Sequence, residues 1–489
     1  MRYFTFLVCF PALAQLGNSS LSGTITDPAS AAIPNATITL RSTNQAFVRT
    51  TTTGDTGQYV IPTLPPGRYQ LSVTANGFTE NRTQDFELSS GQAGSLNVTL
   101  QVRTQETQLT VEASAPVLQT TSASVGSAVT ARQMTNLPLA GRSFLNAIAI
   151  APGVVPVGPA GSTTNHSPVN QSTMPSVFGQ RQKDNNFLLD GVENRDPNLL
   201  GVAVYPPPEA IAEMKVDSGV GSAAYGHASG ATIDVVSKSG SDAWHADGWE
   251  YFRNNVLDAR SFFVPSIGAY RWNQFGAAAG GPAFIPGVLK KDKHWYVFGY
   301  YEGVRIRQAS NYTGNIPTPA NLAGDFSGTA PIYDPFSTAA GPNNTFTRQP
   351  FPNNRIPESR LNASVQTLAH AIYPEPNLAP GVIPGQNYIN TAGNRQEGDQ
   401  WSIRADHQFG QRDRFLGRYT TADNPSSGVS LPSITGFQSD VLRNAVVSDT
   451  HIFSPSFLLT GRYGLTTVDY QSGNNVPRGL AESIGLSAV

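Results

Sequence analysis

The sequence has a single cysteine and few charged side chains. Cys9 is the only cysteine among 489 residues, so no disulfide can form within the chain. Asp, Glu, Lys and Arg make up 13% of the residues, compared with about 25% in soluble domains. The formal net charge is −2, whereas nucleic-acid binding would need a basic surface. The composition therefore excludes a disulfide-stapled fold and gives no basis for a nucleic-acid partner.

Long apolar runs and the common catalytic motifs are also missing. The apolar stretch Ala147–Val157 is interrupted by Pro152 and Pro156, and a membrane-spanning helix needs about 20 apolar residues. The seven histidines form no His-Glu-x-x-His motif, and neither Gly-x-Ser-x-Gly nor Gly-x-x-x-x-Gly-Lys occurs. We therefore predict that the protein is not an enzyme, a peptidase included, and that it has no metal or cofactor.

Four acidic residues form a possible cation site. Asp184, Asp190, Glu193 and Asp196 lie close together in the sequence and offer the oxygen ligands that calcium prefers. Their spacing is not that of an EF-hand, so a solvated loop is the favoured interpretation.

The N-terminus has the features of a secretory signal peptide. Arg2 supplies the positive charge, Tyr3–Pro11 is a short apolar stretch, and Ala12–Ala14 is an A-x-A cleavage site. The predicted cleavage lies between Ala14 and Gln15, so the mature chain would contain no cysteine. The alternative is a buried first strand.

Residues 15–102 are predicted to form a β-sandwich. Short β-prone runs such as Thr37–Leu40 and Tyr69–Val73 alternate with turn signals such as Gly54–Gly57 and Asn76-Gly77. The segments Gly23–Asp27, Ile33–Ile38 and Gly57–Tyr69 resemble the carboxypeptidase regulatory-like domain. That resemblance implies a transthyretin-like sandwich grouped with carbohydrate-binding folds, and it implies no peptidase activity. The aromatic residues Phe47, Tyr59, Tyr69 and Phe78 are predicted to be core residues rather than a platform for sugar.

The next two segments are a linker, 103–115, and a plug domain, 116–240. The plug resembles that of Oar-like TonB-dependent receptors of the outer membrane, and the order of the matching blocks is more specific than any one of them. These blocks are Leu137–Phe144, Ala151–Val154, Gly179–Arg181, Asn185–Val192, Ala224–Gly226 and Gly230–Gly240. We predict strands at Phe187–Leu189 and Ile233–Val236, and tight turns or positive φ at Gly191, Gly226 and Gly230.

Within the linker, five β-prone residues resemble a TonB box, the segment that a periplasmic energy-coupling protein captures as an added strand. They are Leu109, Thr110, Val111, Glu112 and Ala113. The alternative is an ordinary last strand of the sandwich or a simple linker.

Residues 241–489 are predicted to be the N-terminal part of an antiparallel transmembrane β-barrel. Apolar Trp401, Ile403 and Phe409 alternate with polar Arg404 and Asp406. Hairpins with short turns, separated by a long loop at Thr421–Arg443, are typical of outer-membrane barrels; a soluble sheet with one wet face is the alternative. The resemblance to Oar-like receptors continues through eight blocks: Trp249–Asn254, Leu257–Arg260, Asn273–Gly276, Gly280–Pro282, Tyr300–Gly303, Gly324–Ser327, Ile332–Pro335 and Asp413–Tyr419.

The number of residues after the plug is small for a barrel that encloses one. Plugged barrels have about 22 strands, which at roughly 10 residues each plus loops require well over about 400 residues. Only about 250 residues follow Gly240. We therefore expect a C-terminally truncated chain whose sheet has an open edge.

The domain order predicts an outer-membrane receptor and transporter for a large extracellular ligand such as a saccharide or peptide. The resemblance implies two further partners, the outer-membrane lipid and a TonB-type coupling protein on the periplasmic side, where the sandwich would lie. The alternative is a surface carbohydrate-binding or adhesion protein that the barrel merely anchors.

Overall fold

The structure, a computed structural model, consists mainly of β-strands. It describes residues 19–485 except 46, 104–110, 114–117, 120–124, 156–173, 198–199, 219–225, 227, 260–266, 285–294, 310–311, 380, 391–392, 411, 432–433, 455–456 and 477–478. The predicted signal peptide with Ala14 and Gln15, and residues Leu109 and Thr110, lie outside the described residues. The α-helices are Ala131–Asn136 (α1), Phe144–Ala147 (α2), Pro319–Leu322 (α3), Ala363–Ile372 (α4) and Leu480–Ser483 (α5). None of these helices has the length and apolar character needed to cross a membrane.

The N-terminal region is a sandwich of two sheets. Its strands are Ser19–Thr26 (β1), Thr37–Ser42 (β2), Val48–Thr52 (β3), Gln58–Leu64 (β4), Gly67–Thr74 (β5), Asn81–Thr83 (β6), Phe86–Leu88 (β7), Ala93–Ser95 (β8), Val98–Thr99 (β9), Val111–Ala113 (β10) and Leu118–Gln119 (β11). One sheet has the order β11-β8-β1-β4, with β9 beside β1, and the other has the order β10-β6-β5-β2-β3, with β7 beside β5. One strand from the linker, β10, and one from the first residues assigned to the plug, β11, thus complete the edges of the sandwich.

The sandwich core follows the predicted alternation. Tyr69, Leu71 and Val73 are buried, whereas Arg68 is exposed, because successive side chains of a strand point to opposite faces. Tyr59 and Tyr69 are core residues whose hydroxyls donate to the carbonyls of Leu96 at 2.8 Å and Pro65 at 2.6 Å. The prediction that these aromatic residues form the core is confirmed.

The middle region is a five-stranded sheet packed against short helices. Its strands are Val125–Thr130 (β12), Asn186–Leu189 (β15), Val192–Glu193 (β16), Ile211–Ser218 (β17) and Ala231–Ser237 (β18), and a separate pair is formed by Val154–Val155 (β13) and Ser176–Val177 (β14). The sheet order is β12-β17-β18-β15-β16. All seven residues of β18 are buried, as expected for a strand covered on both faces. Both predicted strands of this domain are present, and it is called the plug below.

The C-terminal region is a large antiparallel sheet. Its strands are His245–Asn254 (β19), Tyr270–Pro282 (β20), Trp295–Ala309 (β21), Gly393–Phe409 (β26), Asp413–Asp423 (β27), Ser426–Leu431 (β28), Ile434–Ser454 (β29) and Phe457–Asn474 (β30). Between β21 and β26 the chain makes an excursion with the short strands Tyr312–Gly314 (β22), Ala339–Ala340 (β23), Phe346–Thr347 (β24) and Tyr388–Asn390 (β25). The sheet order is β19-β20-β21-β26-β27-β29-β30. β28 continues the path of β27 and pairs with both β26 and β29.

The predicted long loop at Thr421–Arg443 is wrong. β27 extends to Asp423, β28 covers Ser426–Leu431, and β29 already begins at Ile434. The interruption between β27 and β28 contains Pro425, which has no N–H to donate to a neighbouring strand. The alternation of apolar and polar residues fades here because polar side chains occupy both faces, so the pattern alone did not reveal the strands.

Strand β26 of the large sheet is polar on its inner face and apolar on its outer face. Gln400, Ser402 and Arg404 of β26 are buried against the plug, whereas Trp401 and Ile403 are 45% and 56% exposed. A soluble sheet would bury the opposite set, because its apolar face packs on a core. The soluble-sheet alternative is therefore disfavoured, and the outward apolar face is the one expected of an outer-membrane barrel.

Aromatic side chains occupy two levels of the outer face. Trp401 and Tyr419 lie together with ring centroids 5.4 Å apart, and Trp295 contacts Phe409 and Phe415 nearer the short turns. Trp401 and Phe409 are separated by about 26 Å along the strand at roughly 3.3 Å per residue. With a strand tilt of about 35–45°, this spacing corresponds to roughly 20 Å of membrane height, somewhat less than the apolar band of about 25 Å in outer-membrane barrels.

Candidate functional site

A network of buried charges lies where the plug meets the inner face of the large sheet. We call it the Asp190 cluster; its members are Asp190 and Ser237 of the plug and Arg404, Asp406 and Arg418 of the sheet. All but Ser237 carry charge, and all five side chains are buried. Charges removed from water must be paired and hydrogen-bonded to be tolerated, so the geometry of their contacts defines the site.

A tight turn of the plug presents Asp190. Asp190 and Gly191 connect β15 to β16 with φ angles of 53° and 74°. Positive φ at both central residues is typical of a type I′ hairpin turn, for which Asp-Gly is a favoured sequence. The prediction of positive φ is confirmed at Gly191, whereas Gly226 and Gly230 do not have it.

Four donors surround the Asp190 carboxylate. The backbone N–H and hydroxyl of Ser237 donate to it at 2.9 and 2.8 Å. Arg404 Nη1 lies 3.1 Å from Oδ1, and Arg418 Nε lies 2.6 Å from Oδ2. Burial by itself raises the pKa of Asp190, but Arg404 and Arg418, together with Ser237, outweigh burial and hold the pKa below its ordinary value. Asp190 is therefore an anion that joins the plug to two strands of the sheet.

The two arginines are themselves held by further partners. Arg404 makes a two-pronged contact with Asp406 at 2.7 and 2.8 Å, and it also donates to the carbonyl of Ser237 at 2.8 Å. Arg418 donates to Thr420 at 2.7 Å and to Asn444 at 2.5 Å. Two-pronged arginine–carboxylate contacts fix orientation as well as charge. The sheet thus orients both guanidinium groups through Asp406, Thr420 and Asn444, while Ser237 adds a plug contact to Arg404.

A second set of contacts extends the junction along β29 and β30. Asn444 donates to the backbone carbonyl of Glu193 at 3.2 Å, and Arg462 donates to that of Gly191 at 3.3 Å. Gly464 makes room for the plug, since a Cβ atom there would lie 2.0 Å from the side chain of Val192. Ala422, Leu442 and Val468 make apolar contacts with the plug core. On the other side of the plug, Ala210 packs against Phe298 and Tyr300 of β21.

The acidic group considered as a calcium site is not a solvated loop. Asp190 and Asp196 are buried, so that interpretation is wrong for both, and the carboxylate of Asp190 is occupied by arginines. The sequence could not show this because Arg404 and Arg418 lie more than two hundred positions away. Among the described residues, no three His, Cys, Asp or Glu side chains are grouped closely enough to hold a metal.

Two further acids of the plug have raised pKa values. Burial, and secondly the charge of Asp190, raise the pKa of Asp234 to about 6. Burial raises the pKa of Glu213 to about 7, and Glu213 accepts the backbone N–H of Ser90 of the sandwich at 2.9 Å. Glu213 therefore links two domains and changes charge near neutral pH.

The sandwich also contacts the junction of plug and sheet. Gln45 donates to the carbonyl of Gly240 at 2.8 Å, and the N–H of Asp242 donates to the carbonyl of Asn44 at 3.3 Å. A cavity of about 190 Å³ lies between them, bordered by Pro66 and Arg414 among other residues. Arg414 belongs to the short-turn end of β27, so the sandwich lies at that end of the sheet.

The candidate coupling segment is partly described. Val111–Ala113 form β10, which pairs in parallel with Asn81–Thr83 of β6 in the register Glu112↔Arg82. β10 is the outermost strand of its sheet among the described residues. This is the position expected from the alternative interpretation, a last sandwich strand, and it is also a position from which a strand can be exchanged.

Three family models match the chain in sequence order. The carboxypeptidase regulatory-like domain matches residues 20–101, the TonB-dependent receptor plug domain matches residues 117–232, and the outer membrane beta barrel domain matches residues 236–488. Together they cover all three regions that the sheets define.

Individual relatives are distant. The TonB-dependent transporter Oar of Myxococcus xanthus is 24% identical over 307 residues, which cover 59% of this chain and 27% of Oar. The outer membrane transporter YddB from Escherichia coli is 10% identical with a TM-score of 0.35, over 67% of this chain and 39% of that one. The siderophore receptor PirA from Acinetobacter baumannii is 14% identical with a TM-score of 0.31, over 67% and 47%. The chain thus spans about a quarter of Oar and less than half of either structure.

Proposed function

Because the chain belongs to the outer-membrane β-barrel family of TonB-dependent receptors, we propose that it is a receptor and transporter for a large extracellular ligand. A saccharide or a peptide is the expected kind of ligand. The plug would close the passage at rest, and a TonB-type energy-coupling protein on the periplasmic side would open it. We propose no enzymatic activity for any of the three domains.

The observation that carries this proposal is the Asp190 cluster. It ties the turn between β15 and β16 to strands β26 and β27 through charge-assisted hydrogen bonds. Such bonds are strong while water is excluded, and water can replace each of them once the turn moves. A pulling force that displaces the Asp190 turn would therefore detach the plug from the wall at this point.

The force would enter through Leu109, Thr110, Val111, Glu112 and Ala113. Strand addition uses main-chain hydrogen bonds, so a short β-prone segment is sufficient for capture. The pairing of β10 with the edge of the sandwich supports the idea that this segment already has an extended backbone. The coupling protein would either add to β10 or take it from β6.

The proposed location is the outer membrane, after export and cleavage between Ala14 and Gln15. The sandwich would lie in the periplasm, because it contacts the end of the sheet that carries the short turns, and short turns face the periplasm in such barrels. The adhesion alternative is not favoured by any contact of the sandwich, since Tyr59 and Tyr69 are core residues and offer no exposed face for sugar stacking.

The test combines location with coupling. Cell fractionation should recover the protein in the outer membrane. Deletion of residues 109–113 should abolish capture by the periplasmic domain of the host's TonB-type protein, whereas deletion of the equally long segment 103–107 should not. Recovery of the protein in a soluble fraction would contradict the receptor proposal. Unchanged capture after deletion of residues 109–113 would show that another segment is the TonB box.

A further inference from the structure

A second cavity opens on the inner face of the large sheet, at the end opposite the sandwich. It has a volume of about 490 Å³, within the range of about 300–1,000 Å³ usual for ligand sites. Four strands supply its inward lining, each at even-numbered positions. These residues are Ile306, Gln308, Asn394, Gln396, Ser426, Gly428, Gly436 and Gln438.

The strand register creates the hollow. Gly428 of β28 and Gly436 of β29 are direct cross-strand partners, so two positions that would carry inward side chains carry none. A Cβ atom at Gly428 would lie 2.2 Å from the amide oxygen of Asn394. The Asn394 amide therefore packs on Gly428, in the space that a side chain there would take, and it borders the cavity.

Charges on the opposite face of the same strands place the cavity above the lipid. On that face Arg305 pairs with Asp399 at 2.8 Å, and Glu397 pairs with Arg307 at 2.5 Å. Charged groups are costly on the lipid-facing side of a barrel strand. The apolar outer band begins at Trp401, so the strands carry the cavity beyond the membrane on the long-loop side.

The lining is neutral and rich in amides. No acidic side chain borders the cavity, and its one bordering cation, Arg395, is paired with Glu397 at 2.6 Å. Each Gln or Asn amide offers both donors and an acceptor, which suits hydroxyl groups that donate and accept at once. An anionic iron chelate would instead call for cations directed at it. Among the residues that border the cavity, Ile306 is apolar and points inward, and Val429 and Phe437 border it from odd-numbered positions. Polar residues make up most of the border, so a peptide would find little surface against which to bury apolar side chains.

We propose that this cavity, which we call the amide cavity, binds a neutral oligosaccharide as the first extracellular contact of the transported ligand. The inference rests on the proposed function, because it requires the long-loop end of the sheet to face the outside. It adds that the ligand is uncharged and polyhydroxylated, and it assigns recognition to Gln308, Asn394, Gln396 and Gln438.

Binding to the purified full chain tests the proposal. Calorimetric titration in a detergent without a sugar headgroup would use maltohexaose, cellohexaose and xylohexaose as neutral probes, with ferric citrate and hexaglycine for comparison. At least one hexasaccharide should bind, and the double variant Gln308→Ala/Gln396→Ala should weaken it at least tenfold. Gly428→Trp, which fills the hollow, should abolish it. The matched control Gln471→Ala changes an exposed glutamine opposite Ser439 on the outer face and should bind as wild type.

The outcomes separate this proposal from the one it rests on. Absence of binding by all three hexasaccharides, binding unaffected by the Gln308/Gln396 variant, or Gln396-dependent binding of ferric citrate or hexaglycine instead would each overturn it. The double alanine variant keeps the test valid if Gly428→Trp fails to fold. The receptor proposal is decided independently, by fractionation and by capture of the coupling protein, neither of which involves the amide cavity.

Discussion

Arg404 and Arg418 are direct cross-strand partners on β26 and β27, and the carboxylate of Asp190 binds both of them. Like charges opposite each other destabilise a pair of strands. Asp406 of the same sheet pairs with Arg404, so the two arginines require one further anion. The plug supplies it. Without the plug the sheet would bury an arginine charge that no carboxylate balances, and without the sheet the Asp190 carboxylate would have no arginine partner.

Asp190→Asn should loosen the plug strongly. The substitution leaves two buried guanidinium groups short of one negative charge, and removing one partner of a buried ion pair costs about 3–5 kcal/mol. We expect faster proteolysis of the plug in isolated outer membranes and increased entry of large hydrophilic dyes into cells. Asp469→Asn, at an exposed position of β30, is the control. Equal protease resistance of both variants would show that the cluster does not hold the plug.

Gly464→Val should displace the plug by steric conflict alone. The new side chain would meet Val192, and overpacking of this kind costs about 1–3 kcal/mol. Gly461→Val is a matched control on the same strand, because nothing lies within 4 Å of a Cβ placed there. The urea midpoint of the purified proteins should fall for Gly464→Val only. A fall for both would point to the strand itself rather than to the plug contact.

The free energy of unfolding should fall as pH rises from about 4.5 to about 7, because Glu213 must then ionise in a buried position. The pKa of Glu213 is raised by burial from 4.5 to about 7, so the folded state binds a proton that the unfolded state has already released in this range. Stability is therefore greatest below the unfolded pKa and declines up to the folded pKa, by at most about 3 kcal/mol. Asp234 changes stability in the same direction.

Glu213→Gln isolates that contribution. The amide keeps an acceptor for Ser90 and cannot ionise, so its urea midpoint should vary less with pH than that of the wild type and exceed it at pH 8. Exposed Glu80→Gln should leave the wild-type profile unchanged. A Glu213→Gln profile parallel to the wild-type profile would show that Glu213 is not the group responsible.

Cross-linking β10 to β6 should reveal whether the coupling segment must leave the sandwich. Arg82→Cys/Glu112→Cys places two cysteines in register, and no other cysteine follows Cys9. If the segment is exchanged, the oxidised protein should lose capture by the TonB-type domain, and reductant should restore it. Thr24→Cys/Gln58→Cys, in register within the sandwich, is the control pair. Full capture by the oxidised Arg82/Glu112 variant would mean that the partner adds to β10 in place.

The sequence predicted what depends on local pattern. Alternation at Tyr69–Val73 and Trp401–Phe409 gave correct strands and correct faces, because side-chain direction in a strand has a period of two. It did not predict the strands within Thr421–Arg443, where both faces are polar. Nor did it identify the partners of Asp190, because that contact depends on how two distant sheets dock. Two arginines on the polar faces of consecutive strands were the available signal.

The polar part of the junction between plug and wall, around the Asp190 cluster, has a thermodynamic consequence. A hydrophobic seal would resist separation because wetting it is unfavourable, and the parted surfaces would tend to stick elsewhere. At the Asp190 cluster the parted surfaces are mainly carboxylates, guanidinium groups, amides and backbone carbonyls, all of which hydrate readily. Opening can therefore be reversible over many cycles, and the work that each cycle requires should fall as ionic strength increases once water enters the junction.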